Sequence, residues 1–296
     1  MRIVFDLLRG GLIGVAEIVP GVSGGTIALI VRVYHSIIRS ASGVVRGLVG
    51  VVVPTLRRSA PWSEVEWVRI IPILVGMFAA IFVGAALLEP VLDTYPVEAR
   101  AVFAGLIAMS LVVPITMVGS RWGARDLLAA GTAAAISFVL VGLPTLTVSD
   151  PSLFLVAPAA AIAVCALVLP GVSGSFLLLT LGMYQPTLSA VNDRDVAYLG
   201  VFVAGAIVGL GSFVVVLQWL LTNRRRITLV VMTGLMVGSL RALWPWQGEG
   251  RELLAPDAGS LPAVVTLFVA GVSVVAVLLF VERVISSAAQ KSSSTP

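Results

Sequence analysis

Long apolar runs with few polar interruptions make up most of this chain, at about 3–19, 21–38, 70–88, 100–118, 126–143, 153–169, 171–190, 196–221, 227–243 and 261–281. Most approach the roughly 20 residues that a helix needs to cross a hydrocarbon core. Two pairs of runs are joined only by a Pro-Gly step, Pro20-Gly21 and Pro170-Gly171, with no polar loop between. Proline removes a backbone donor and pushes the preceding residue out of helical geometry, and glycine permits the reversal that follows. Each pair therefore reads as a re-entrant helical hairpin. Broken backbone is tolerated at membrane depth only beside protein or a water-filled cavity, so the breaks are expected to mark a cavity.

The two hairpins are copies of one pattern. VPGVSGGTIALIVRVY at 19–34 aligns without gaps on LPGVSGSFLLLTLGMY at 169–184, matching Pro20/Pro170, Gly21/Gly171, Val22/Val172, Ser23/Ser173, Gly24/Gly174 and Tyr34/Tyr184. A second match sets GLIAMSL at 105–111 on GLMVGSL at 234–240 in the same order. The chain reads as a duplication, with a first repeat over 1–145, a second over 146–285 and a disordered tail over 286–296. A polar cytoplasmic insertion at about 40–67 accounts for the longer first half. A hairpin returns to its own side, and three spanning segments separate the hairpins, so the second half is expected to be inverted. The predicted fold is thus an all-α polytopic membrane protein of two inverted-topology repeats, each a re-entrant hairpin followed by three transmembrane helices.

Charge agrees with that parity. Fifteen basic residues fall on the side of the two termini and the 39–69, 119–126 and 222–226 loops, with Arg32 counted there. The other side holds Arg100, Arg194, Arg241 and Arg251 beside nine acids: Glu89, Asp93, Glu98, Asp150, Asp193, Asp195, Glu249, Glu252 and Asp257. By the positive-inside rule the termini are cytoplasmic. The net charge of +4 is then topogenic and calls for no nucleic acid. Arg39, Arg46, Arg57, Arg58 and Arg224–Arg226 read as topogenic or as contacts to anionic inner-leaflet lipid, and Trp62 and Trp67 as interfacial anchors.

Composition confirms the solvent. At 58% hydrophobic, 11% charged and mean hydropathy +1.07, a chain of 296 residues has too much apolar surface to hide in a water-soluble fold. The N-terminal run continues through Gly10, Gly11 and Gly14 to Glu17 with no small-x-small cleavage pattern, so it is kept as part of the mature protein. The single Cys165 excludes an internal disulfide, and neither a metal nor another cofactor is expected.

The chemistry concentrates at the breaks. A helix starting near Ser23 or Ser173 leaves its first N–H groups uncovered, and these groups with the helix dipole favour an anion. Ser23, Thr26, Ser173 and Ser175 add hydroxyl donors, while Gly21, Gly24, Gly25, Gly171 and Gly174 allow close approach. Two such starts facing one centre make a cradle for a phosphate or carboxylate. The plainer alternative is that the glycines serve tight helix packing. Two ionisable residues break the repeat symmetry: Glu17 stands where the second half has Leu167, and Arg241 where the first has Val112. Charges within the membrane mark function by default. Glu17 is the candidate for coupling and Arg241 for phosphate recognition, against a buried structural hydrogen bond or ion pair for Glu17 and snorkelling beside Trp244 and Trp246 for Arg241. His35, the only histidine, reads as interfacial, with a proton relay as the other possibility.

AEIVPGVSGGTIALI at 16–30, ALVLPGVSGSFLLLTLGMY at 166–184 and GLMVGSLRALWPW at 234–246 resemble the hallmark stretches of the PopT-type polyprenyl-phosphate transporter family, in the family's order. The resemblance implies a prokaryotic plasma-membrane protein that returns undecaprenyl phosphate, or a related carrier, from the outer to the inner leaflet. Arg32 and Val33 depart from it, standing where small residues such as the Gly182-Met183 pair are expected. Residues and resemblance meet on one expected mechanism: a lipid monophosphate enters laterally, its charge offset by the helix starts and Arg241, and its tail stays among membrane lipids. Rocking of the repeats then provides alternating access, coupled through Glu17 to the proton gradient. Two rivals are a carrier of a small soluble anion and an intramembrane lipid phosphatase or serine protease. The second lacks a base near Ser23 or Ser173.

Overall fold

The structure, a computed structural model, describes residues 2–18, 24–52, 61–144, 148, 151–169, 174–248 and 250–293. The described residues are helical, with a single isolated β-bridge between Gln247 and Leu253. The first half runs α1 (Arg2–Ile18), α2 (Gly24–Ile30), α3 (Tyr34–Val52), α4 (Trp67–Thr94), α5 (Pro96–Ser110), α6 (Val112–Met117) and α7 (Ala124–Val141). The second runs α8 (Leu153–Val168), α9 (Gly174–Thr180), α10 (Tyr184–Asn192), α11 (Val196–Asn223), α12 (Arg225–Ser239), a 3-10 turn Leu240–Leu243 and α13 (Leu261–Ser293). Three element lengths recur across the halves, α4 and α11 with 28 residues each, α5 and α12 with 15 each and α2 and α9 with 7 each, whereas α3 (19 residues) is about twice as long as α10 (9 residues).

Five stretches among the described residues are long and apolar enough to cross a membrane: Pro96–Met117, Ala124–Val141, Val196–Asn223, Arg225–Leu243 and Leu261–Phe280. Large apolar side chains stand exposed on their outer faces and on α1, α4 and α8, up to 92% for Phe154. That surface suits hydrocarbon and not water. The protein is a membrane protein.

Each second hairpin arm is broken where one helix was expected. The runs at 21–38 and 171–190 each contain a short helix, a turn and a new helix. The turn is a Schellman closure in both halves: Val33 N–H donates to Ala28 and Arg32 N–H to Leu29, as Met183 N–H donates to Leu178 and Gly182 N–H to Leu179. This closure needs a left-handed residue, which is Gly182 (φ 73°) in one half and Arg32 (φ 54°) in the other. Glycine takes that conformation freely, whereas a side chain costs about 1–2 kcal/mol. The following residues, Val33 and Met183, are buried and hold the turns in place. Beyond its turn α3 runs on to Val52, through the first part of the stretch read as a polar insertion. Its Arg46 reaches Gln218 of α11 (2.9 Å) and Glu64 (3.5 Å).

Helix packing relies on small residues that bring backbones together, because apolar burial drives no association between helices in lipid. Within the halves, Gly10 and Gly14 of α1 face the Ile73 and Met77 carbonyls of α4, and Gly205 and Gly209 of α11 abut Ala157 and Ala161 of α8. Between the halves, Gly105 of α5 faces the Phe268 carbonyl of α13, and Gly234 of α12 faces the Ala130 carbonyl of α7. The pairings are reciprocal: α5 docks on the last helix of the second half, and α12 on the last helix of the first. At the end carrying the 222–226 turn, Arg226 pairs with Asp126 Oδ2 (2.5 Å), and the same oxygen accepts from the Gly123 amide at the start of α7 (2.9 Å). The largest buried cluster surrounds α2: Ala28, Leu29 and Ile30 lie among Ile13, Ile38, Val113, Val214, Met232 and Val275.

Candidate substrate site

The first break is closed by its own acid. Glu17, on the last turn of α1, accepts a hydrogen bond from the Gly24 amide at the start of α2 (3.1 Å). A carboxylate at a helix start satisfies a donor that has no partner within the helix. Gly24 must lack a side chain here, since an added Cβ would meet Glu17 Oε1 and lie 3.0 Å from Ile13 Cγ2. In the second hairpin Leu167 replaces the acid, and Gly174 instead fits against the backbone carbonyl of Ala163. Both glycines are thus points of close helix approach, and in the first half the amide is already taken by the Glu17 carboxyl group. Gly25 is buried beside Gly24. Gly21, Ser23, Gly171 and Ser173 lie outside the described residues; the backbones of Thr26 and Ser175 belong to α2 and α9, but their side chains are not described.

Among the described residues Glu17 and Arg241 do not pair with each other, and the arginine turns to α7. Its Nη1 donates to the Phe138 carbonyl (3.3 Å), its guanidinium lies 4.6 Å above the Phe138 ring, and it packs on Gly142. Its Nε is buried without a hydrogen-bond partner among the described residues. The neighbouring Leu240 and Leu243 do reach the first break, packing with Ala16, Ile27 and Ile107. The turn that carries Arg241 therefore abuts the hairpin, although the guanidinium itself is directed elsewhere.

Three features escaped the sequence reading. The Tyr34 hydroxyl, buried, donates to the Val168 carbonyl at the end of α8 (3.1 Å), joining the first hairpin to the edge of the second break. The matched Tyr34/Tyr184 pair was the visible signal, but only folding shows what Tyr34 reaches. A cavity of about 410 Å³ opens beside it, lined by Arg32, Tyr34, His35, Thr116 and Arg225 over an apolar wall of Leu29, Val112, Val113, Met117 and Leu279. A second, wholly different groove of about 380 Å³ lies between α6, α7 and α12, lined by Ile115, Trp122, Leu127, Ala130, Gly131, Ala134, Thr233, Gly234 and Val237. Among the described residues no group of His, Cys, Asp and Glu is placed to hold a metal.

Residues 13–260 match the family described as undecaprenyl phosphate translocase-like. The chain belongs to this family. Curated relatives agree in kind: a polyprenyl-phosphate transporter of Vibrio cholerae is 35% identical over 83% of this chain and 79% of its own length. A polyprenyl-phosphate transporter of Staphylococcus aureus is 30% identical over 81% of this chain and 86% of its own. These family members are named transporters, and the chain takes its place with them and not with enzymes. No solved structure matches it.

Proposed function

We propose that this protein carries a polyprenyl phosphate from the outer to the inner leaflet of a prokaryotic plasma membrane, as two inverted repeats with both termini cytoplasmic. The observation that carries this reading is the bond from Tyr34, beyond the short second helix, to the Val168 carbonyl at the edge of the second break, which packs the two hairpins against each other. The charge asymmetry of the loops and the names of the relatives support it. A head group reaches the outer-facing side near Arg241 and then the cradle of Gly21, Ser23, Gly24, Gly25, Thr26, Gly171, Ser173, Gly174 and Ser175. The apolar groove of α6, α7 and α12 favours an amphiphile over a soluble anion, since a free anion needs no such surface.

Glu17 takes the coupling role because its carboxylate occupies the Gly24 amide that an arriving phosphate needs. Two anions compete for one donor, so phosphate binding and protonation of Glu17 favour each other. Leaflet exchange of a fluorescent polyprenyl phosphate in liposomes, with and without an imposed pH gradient, tests the reading. Glu17→Gln keeps the shape of the protonated acid and is expected to bind and exchange lipid without responding to the gradient. Gradient-driven exchange equal to wild type in that variant removes Glu17 from coupling, and absence of exchange by the wild-type protein overturns the transport reading.

A further inference from the structure

We propose that the cavity lined by Arg32, His35 and Arg225 is a second binding site, for a phosphate monoester, on the side of the molecule that carries the 222–226 turn. It rests on the transport reading above and adds where the head group is held before release. Arg32 comes from the turn between α2 and α3, His35 from the first turn of α3 and Arg225 from the first turn of α12, so two halves of the chain contribute. No carboxylate is among the cavity's described lining residues, and the Tyr34 and Thr116 hydroxyls are already donated to the carbonyls of Val168 and Val112, so the basic groups carry the recognition. A concentration of guanidinium groups in a concave site suits a phosphate, which arginine grips with a planar fork. The apolar wall of Leu29, Val112, Val113 and Leu279 suits the first carbons of a lipid tail.

Arg32 is the decisive residue. The same turn in the other half uses Gly182, with the same hydrogen bonds and no side chain. The first half places an arginine in a left-handed conformation that glycine adopts without strain, and strain of this kind is kept where the side chain has work to do. The site is therefore built on one hairpin only. Two matched halves with phosphate-binding chemistry at one of their two equivalent turns are biased toward one face of the membrane. Tyr34 ties this turn to Val168, so an occupant of the cavity sits against the link between the hairpins.

The test uses the purified full-length chain in nanodiscs, with Cys165→Ala and a reporter at Thr116→Cys, whose native side chain lines the cavity. Farnesyl phosphate is expected to slow maleimide labelling of the reporter at lower concentration than inorganic phosphate, while farnesol gives no protection. Arg32→Gly, and separately Arg225→Gln, should raise the farnesyl phosphate concentration needed for protection by about tenfold, the scale of one lost charge-assisted contact. Arg32→Gly should keep or increase thermal stability, because the left-handed turn is relieved, so weaker protection is not a folding defect. Equal protection by farnesol makes the cavity a plain apolar pocket and overturns the proposal. Protection by inorganic phosphate equal to that by farnesyl phosphate overturns the lipid source. Undiminished protection in both variants, alongside normal leaflet exchange by wild type, overturns this site while leaving the transport reading intact. Loss of exchange in wild type with protection retained has the opposite meaning.

Discussion

Replacing Gly24 by alanine sets a methyl group where the Glu17 carboxylate lies. An added Cβ falls 2.9 Å from Glu17 Cδ and 3.0 Å from Ile13 Cγ2, and meets Oε1 itself. The acid must swing away and abandon the Gly24 amide, now bonded at 3.1 Å. Overpacking of a tight helix contact costs about 1–3 kcal/mol, and a typical hydrogen bond contributes about 0.5–1.5 kcal/mol. One movement incurs both, so Gly24→Ala is expected to destabilise the protein by about 1.5–4.5 kcal/mol. The obstacle is a side chain, and Glu17→Ala removes it. In that background Gly24→Ala retains only the Ile13 contact and should cost under about 1 kcal/mol, giving a coupling of about 1–3 kcal/mol between the two positions. Gly174 supplies the contrast. Its obstacle is the Ala163 carbonyl, with Leu167 Cβ at 3.5 Å, so Leu167→Ala cannot rescue Gly174→Ala. Denaturant unfolding of the single and double variants in mixed micelles measures both cycles. Additivity of Gly24→Ala and Glu17→Ala within about 0.5 kcal/mol would refute the placement of the carboxylate on the amide.

Tyr34→Phe removes the donor to Val168 and should destabilise by about 1 kcal/mol, and slow leaflet exchange if the link couples the hairpins; unchanged values for both sink that role. In a Cys165→Ala background, Asp193→Cys should react with an impermeant maleimide from outside the cell and Arg121→Cys only after permeabilisation, whereas labelling of both from one side contradicts the inverted repeats. Arg241→Lys loses the planar stacking over Phe138 and the fork that reaches its carbonyl, so exchange should fall more than charge alone explains. Wild-type exchange in that variant returns Arg241 to an interfacial role. Glycine at 234 is expected to tolerate alanine poorly, by about 1–3 kcal/mol, because the Ala130 carbonyl stands against it.

Much of the helical order was readable because apolar run length and Pro-Gly steps are local signals. The matched element lengths follow the PGVSG and GLIAMSL/GLMVGSL pairs seen in the sequence. What was not readable depends on contacts between distant residues. The turn at 31–33 is announced by a glycine only in the second half, and Arg32 conceals it in the first. Arg39, Ser40, Ser42 and Arg46 disguised the continuation of α3, whose apolar face meets α11 only after folding. Glu17 stood out as a charge beside a break, yet its partner proved to be a backbone amide, which no residue identity at Gly24 advertises. Arg225 and His35 looked like two unrelated interfacial charges, because nothing local brings α12 to the turn after α2.

The exchange of last helices between the halves has a consequence for how the protein is made. Translation delivers α5 to the membrane long before α13 exists, so the Gly105 face that fits the Phe268 carbonyl must wait, covered by lipid or by the insertion machinery. The α7 helix likewise waits for α12. Neither half completes its own packing, and a ribosome that stops after the first half leaves a chain whose most closely fitted surfaces have no counterpart. The two parts of the chain depend on each other: assembly finishes only when the last helix arrives, and a chain terminated before α13 is expected to go to quality control and not to act as a smaller carrier.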